Sequence, residues 1–110
     1  MSATAEDAAA AVQRLTGIAG MRACAILDGR GELLAASEDN DWAAQAARIW
    51  DAAAEPGRPA PAHVHVGIEG GEVFAVRGTD AAIVAIADRF TLGSLMLCDL
   101  RDALRAIEPA

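Results

Sequence analysis

Lysine is missing from this chain: all nine basic residues are arginine. That reads as codon usage in a GC-rich genome and carries no functional weight. Sixteen acidic residues outnumber them, giving a net charge of −7 and a pI near 4.6. Such a balance argues against a nucleic-acid backbone or an anionic membrane surface as partner. Long apolar runs are missing too. The longest, Ala81–Ala87, is far short of a membrane span. At the N-terminus Glu6 and Asp7 stand where a signal peptide would be basic, and the apolar run Ala8–Val12 is too weak to serve as its core. Cysteine is limited to Cys24 and Cys98, without CxxC spacing. Two buried, reduced thiols in a cytosolic protein fit better than a disulfide, which needs an oxidising compartment. The expectation is a cytoplasmic protein with no membrane insertion.

Aromatic residues make up only 4% of a chain that is 54% hydrophobic. Alanine fills the gap, with 28 of 110 residues. An alanine-rich core has small knobs, so its elements must approach closely, and such a domain often borrows core from a partner chain. One domain over residues 1–110 is expected, large enough to bury about two-thirds of its unfolded surface.

Chemistry-bearing motifs are missing as well. There is no GxxxxGK[ST], GxSxG or HExxH pattern. Gly29-Arg30-Gly31 begins like a dinucleotide fingerprint, but Leu34 fills the third glycine place and a strand follows where a helix is required. No catalytic residue, cofactor or metal is called for. His63 and His65 fall on one face of a strand without a third ligand, and read as solvated or interface side chains. Asp99, Arg101, Asp102, Arg105 and Glu108 read as a solvated helix face with spaced ion pairs.

What is present is clear local punctuation. Arg22–Ser37 reads as two strands joined at Asp28-Gly29-Arg30-Gly31, with Gly31 taking the left-handed conformation of a bulged hairpin. In the first strand Ala23, Ala25 and Leu27 alternate with Cys24 and Ile26, so both faces are apolar and should be covered. Before it, Thr4–Asp7 has capping-box form and opens a helix with the stripe Ala8, Val12 and Leu15, stopped by Gly17. After it, Asn40-Asp41 can cap a helix from Trp42 to Ala54, broken by the proline-rich linker that follows. Next come strands from His63 to Glu69 and Glu72 to Gly78, joined by a Gly70-Gly71 loop that sets Glu69 against Glu72 and Ile68 against Val73. Ala81–Ala87, without polar alternation, belongs at the centre of a sheet. Thr91 can cap a last helix with the stripe Leu92, Met96, Leu100, Ala103, Leu104 and Ile107, which Pro109 ends.

The middle helix has an apolar arc of roughly 160°. Trp42, Ala46, Ile49 and Ala53 form one half, enough for one sheet surface. Ala43, Ala47, Trp50 and Ala54 form the other, which looks like a surface waiting for a second helix. Either tryptophan could be a core anchor or an interface hot spot, with Trp50 the better interface candidate. A dimer interface is therefore expected at Ala43, Ala47, Trp50 and Ala54, with His63, His65 and Gly67 along the exposed edge strand.

The order α-β-β-α-β-β-β-α, with Gly20, Ala23, Asp28, Gly31 and Leu33 placed through the first hairpin, resembles the Roadblock/dynein light chain family. The resemblance spans nearly the whole chain and rests on turn chemistry and apolar pattern. It implies an α+β fold: a single five-stranded antiparallel sheet in the order 2-1-5-4-3, with the first and last helices on one face and the middle helix on the other. It also implies homodimers that pair middle helices and third strands. Bacterial and archaeal members commonly act with small Ras-like GTPases as activators or scaffolds, and the family shares no catalytic motif. The expected function is thus a non-enzymatic dimeric regulator or scaffold for a small Ras-like GTPase. The alternative is a PAS-like or profilin-like sensor or interaction module, although a PAS domain usually inserts several short helices where Glu38–Ala62 holds one helix and a linker.

Overall fold

The computed structural model describes residues 3–108. Eight elements follow in the expected order: α1 (Ala5–Thr16), β1 (Met21–Asp28), β2 (Leu33–Ala36), α2 (Trp42–Ala53), β3 (His63–Ile68), β4 (Gly71–Arg77), β5 (Ala81–Asp88) and α3 (Gly93–Ile107). The five strands form one antiparallel sheet in the order β2-β1-β5-β4-β3. Ala81–Asp88 is the middle strand, as its unbroken apolar run requires.

Local chemistry explains the first half of the chain. The Thr4 hydroxyl accepts the Asp7 N–H at 3.1 Å and so satisfies one of the free donors at the start of α1. In the first hairpin one Asp28 carboxylate oxygen accepts from Arg30 N and Glu32 N, at 2.8 and 3.0 Å, and Gly31 turns the chain back at φ +84°. The pairing slips between Ile26 and Leu27, which is the bulge that such a turn brings.

Strand alternation then sorts the core into two layers. Cys24, Ile26, Phe74, Val76, Ile83 and Ala85 face α1 and α3. Ala23, Ala25, Leu27, Val73, Ala75 and Val84 face α2. Ala8 and Ala11 of α1 are fully buried in the first layer, so small side chains do bring the helix close to the sheet. Trp42 closes the second layer; it is buried, and its indole N–H donates to Glu38 O at 3.0 Å.

The structure corrects several local expectations. The β3–β4 loop is Glu69-Gly70, not Gly70-Gly71: Ile68 pairs with Gly71, Gly67 with Glu72 and Val66 with Val73. Every cross-strand partner slides by two residues, which preserves the faces but separates Glu69 from Glu72. The two glycines have different tasks. Gly70 takes the turn at φ +78°, whereas a Cβ on Gly71 would sit 2.6 Å from Ala87 O across the sheet. Replacing Gly71 with alanine should therefore destabilise the fold by about 1–3 kcal/mol, the cost of overpacking a tight site. Chemical denaturation would show it, and an unchanged midpoint would mean that the strands can part without cost.

Thr91 does not cap α3. Its hydroxyl donates to Asp88 O at 2.6 Å, and Leu92, at the N-cap position, is 62% exposed instead of joining the core stripe. Met96, Leu100, Leu104 and Ile107 are buried as expected. Asp41 occupies the N-cap position of α2 without a side-chain bond, while Asn40 Oδ1 accepts from Asp41 N and from the Gln45 amide. Glu108 is not solvated surface: one carboxylate oxygen accepts from Asp80 N and Ala81 N at 2.9 and 3.0 Å, closing the β4–β5 turn. Arg105 pairs with Asp102 on the solvent side of α3, as expected for that face. Pro109, expected to end this helix, lies outside the described residues.

The cysteines also part company. Cys24 is buried and Cys98 is exposed, so only the first meets the expectation of burial. Burial pushes the Cys24 thiol above its ordinary value of 9.0, against a smaller opposing effect of the Ser37 hydroxyl. A thiol reagent at neutral pH should label Cys98 at once and Cys24 only after unfolding. Mass spectrometry that finds both labelled at equal rates in the folded protein would contradict this burial.

Candidate functional site

The residues expected at an interface lie on two surfaces, α2 with its C-cap and the edge strand β3. The first is the outer side of α2. Ala46 is buried against the sheet, with Ile49 and Ala53 half-buried beside it, so the inner half of the arc is spent on the core. Ala43 and Ala47 are exposed on it; Ala54, expected on the same arc, is exposed too but is the C-cap residue, already extended at ψ 137°, because α2 ends at Ala53. Their small side chains let another helix axis come within the usual 8–10 Å.

Trp50 lies on the same side of α2, half-buried beside the core. The Arg77 guanidinium stands 4.2 Å from the centre of its ring, and Arg77 Nε donates to Pro61 O at 2.9 Å. A cation–π contact of this kind holds the indole in place at little entropic cost. The result is a flat, rigid aromatic surface beside a row of alanines, over a shallow hollow of about 170 Å3 that reaches Leu27 and Arg30.

The second surface is β3, which pairs with β4 and forms the sheet's edge. Its other side presents free backbone donors and acceptors to any strand that approaches. Val66 and Ile68, both 44% exposed, face the α2 side beyond the reach of α2 itself. His63, His65 and Gly67 are also exposed, but the strand's alternation turns the histidines to the opposite sheet face, towards α3. The two histidines do share a face, yet different neighbours hold them. His65 stacks on Phe74 with ring centroids 4.1 Å apart and meets a Glu72 carboxylate oxygen at 2.9 Å. His63 Nδ1 lies 3.1 Å from Arg101 Nη2. Arginine can only donate, so in this contact His63 Nδ1 is the acceptor.

One exposed residue has only a faint signal in the sequence. Phe90, in the β5–α3 loop, is 91% exposed and holds φ +65°. For a bulky side chain this backbone conformation costs about 1–2 kcal/mol. Around it lie Leu92 and Leu95, 62% and 59% exposed, beside an open hollow of about 490 Å3 between this loop and the α1–β1 turn. Only a phenylalanine flanked by polar residues, outside both neighbouring apolar stripes, hinted at it.

No protein-family model matches the sequence, and no curated protein matches it significantly. Solved structures do match in fold. MglB of Myxococcus xanthus superimposes with a TM-score of 0.72 at 17% identity, covering 93% of this chain and 85% of that one. A Roadblock/LC7 domain from Streptomyces avermitilis gives 0.70 at 14%, covering 96% and 95%. The gliding protein MglB of Thermus thermophilus gives 0.68 at 18%, covering 93% and 86%. The chain has the Roadblock fold, and the sheet order and helix placement implied by the resemblance are those found.

Proposed function

We propose that residues 1–110 form a single Roadblock-like domain that works as a homodimeric, non-enzymatic regulator or scaffold of a small Ras-like GTPase in the cytoplasm. The observation that carries this reading is the pairing of a Roadblock fold with an unpartnered outer face of α2, where Ala43 and Ala47 lead up to a braced Trp50 and Ala54 follows just past the helix end. Two such faces would meet about a twofold axis, with His63, His65 and Gly67 on the edge strand. The free thiols of Cys24 and Cys98 fit a reducing compartment.

Ras-like hydrolysis needs its attacking water and transition-state charge positioned, and a partner can do this by donating an arginine or by ordering the GTPase's own switch residues. Arg22 is engaged by Asp88 and Gly70 O, and Arg77 by Trp50 and Pro61 O. Arg89 lies over the Phe90 ring. These placements favour ordering of the GTPase's own residues over a donated finger. The sheet has a helix layer packed on each face, which weighs against a PAS-like sensor. Pull-downs from the source organism should retain a small GTPase loaded with a GTP analogue better than the same GTPase loaded with GDP. Equal or absent retention of every small GTPase would remove the regulator reading.

A further inference from the structure

We infer that the Phe90 patch is a second self-association surface, whose occupant is the same patch of another copy of this chain. Phe90 is a nearly fully exposed aromatic ring at positive φ, and next to it lies the hollow of about 490 Å3 walled by Ile18, Leu92 and Leu95 and floored by the buried Met96. A knob and a matching hollow on one surface are what a twofold, isologous contact requires, because each copy must offer both.

The charges point the same way. Arg89, whose guanidinium lies over the Phe90 ring, and Asp99 both border the hollow, and neither has an ion-pair partner among the described residues. A foreign partner of one sign would leave one of them unmatched. A second copy related by a twofold axis sets Arg89 of each chain against Asp99 of the other and matches both. The patch lies away from the outer face of α2 and belongs to a different layer of the molecule. It therefore adds to the proposed dimer contact, and the two together would build assemblies larger than two chains. Exposed apolar area of this kind is otherwise a solubility liability that loops usually avoid.

Sedimentation at increasing concentration tests this directly. At several hundred micromolar the unaltered protein should exceed the mass of a dimer. Phe90→Asn, which tolerates positive φ, should remove that growth while leaving the melting temperature unchanged or higher, so that lost association is not lost folding. Arg89→Asp alone and Asp99→Arg alone should each abolish the growth, and the double exchange should restore it. Mass that does not rise with concentration, a Phe90→Asn variant that assembles like the unaltered chain, or a double exchange without rescue overturns the inference. So does loss of GTPase retention by Phe90→Asn with self-association intact, which would assign the patch to that partner. Combining Phe90→Asn with Ala47→Arg separates the two surfaces, because each single variant should keep the association that the other removes.

Discussion

Ala47→Arg should leave the protein monomeric at micromolar concentration, where the unaltered chain is proposed to be dimeric. Ala47 is exposed in the single chain and contributes almost nothing to its core, so the substitution should not disturb folding. On the proposed twofold contact it would place two guanidinium groups close together in a desolvated seam. An uncompensated buried charge costs about 3–5 kcal/mol, or roughly two to four orders of magnitude in the dimer dissociation constant. Light scattering at matched concentrations reads the result. An unaltered chain that is monomeric at micromolar concentration would remove the seam altogether, and a variant that stays dimeric would move it elsewhere.

The second large effect separates the two tryptophans. Trp42 is 1% exposed and spans the layer between α2 and the sheet, and its N–H is spent on Glu38 O. Trp42→Ala should cost about 3–5 kcal/mol of stability, the range for emptying a large aromatic site that cannot collapse. For a small domain this is a large share of the total. Trp50→Ala removes a half-buried ring and its contact with Arg77, so the isolated chain should lose about 1–2 kcal/mol while the dimer weakens much further. Denaturation of each variant, followed well below and well above the dimer dissociation constant, distinguishes the two. Equal losses for both would mean that Trp50 is ordinary core.

The features legible in the sequence were those governed by neighbours in the chain. The Asp28–Gly31 turn, the Thr4 cap and the double apolar alternation of β1 depend on residues within a few positions, and all three took their expected form. The inner half of the α2 arc, with Trp42 and Ala46 buried, was equally readable, because a helical wheel needs only the order of residues; Ala54 fell outside it because the helix ends one residue earlier. The features that escaped depend on distant atoms. Gly70 and Gly71 are equivalent by local rules, and the choice between them is made by Ala87 O on another strand. Thr91 had two acceptable tasks, and the Asp88 carbonyl claimed its hydroxyl. Glu108 belonged to an exposed helix face until the β4–β5 turn brought two free N–H groups to it. The histidines were placed correctly on β3, but which layer they face depends on how the whole sheet is covered.

The division of labour between the tryptophans also gives the protein a built-in optical signal. The chain has no tyrosine, so its near-ultraviolet emission comes from two indoles alone. One lies in a dry interior, and the other lies half-open under a guanidinium on the face proposed to meet a second copy. Intensity and wavelength therefore carry two separable messages, one from melting of the interior and one from closure of the seam. A dilution series followed by a denaturant series would read them in turn, with no label attached.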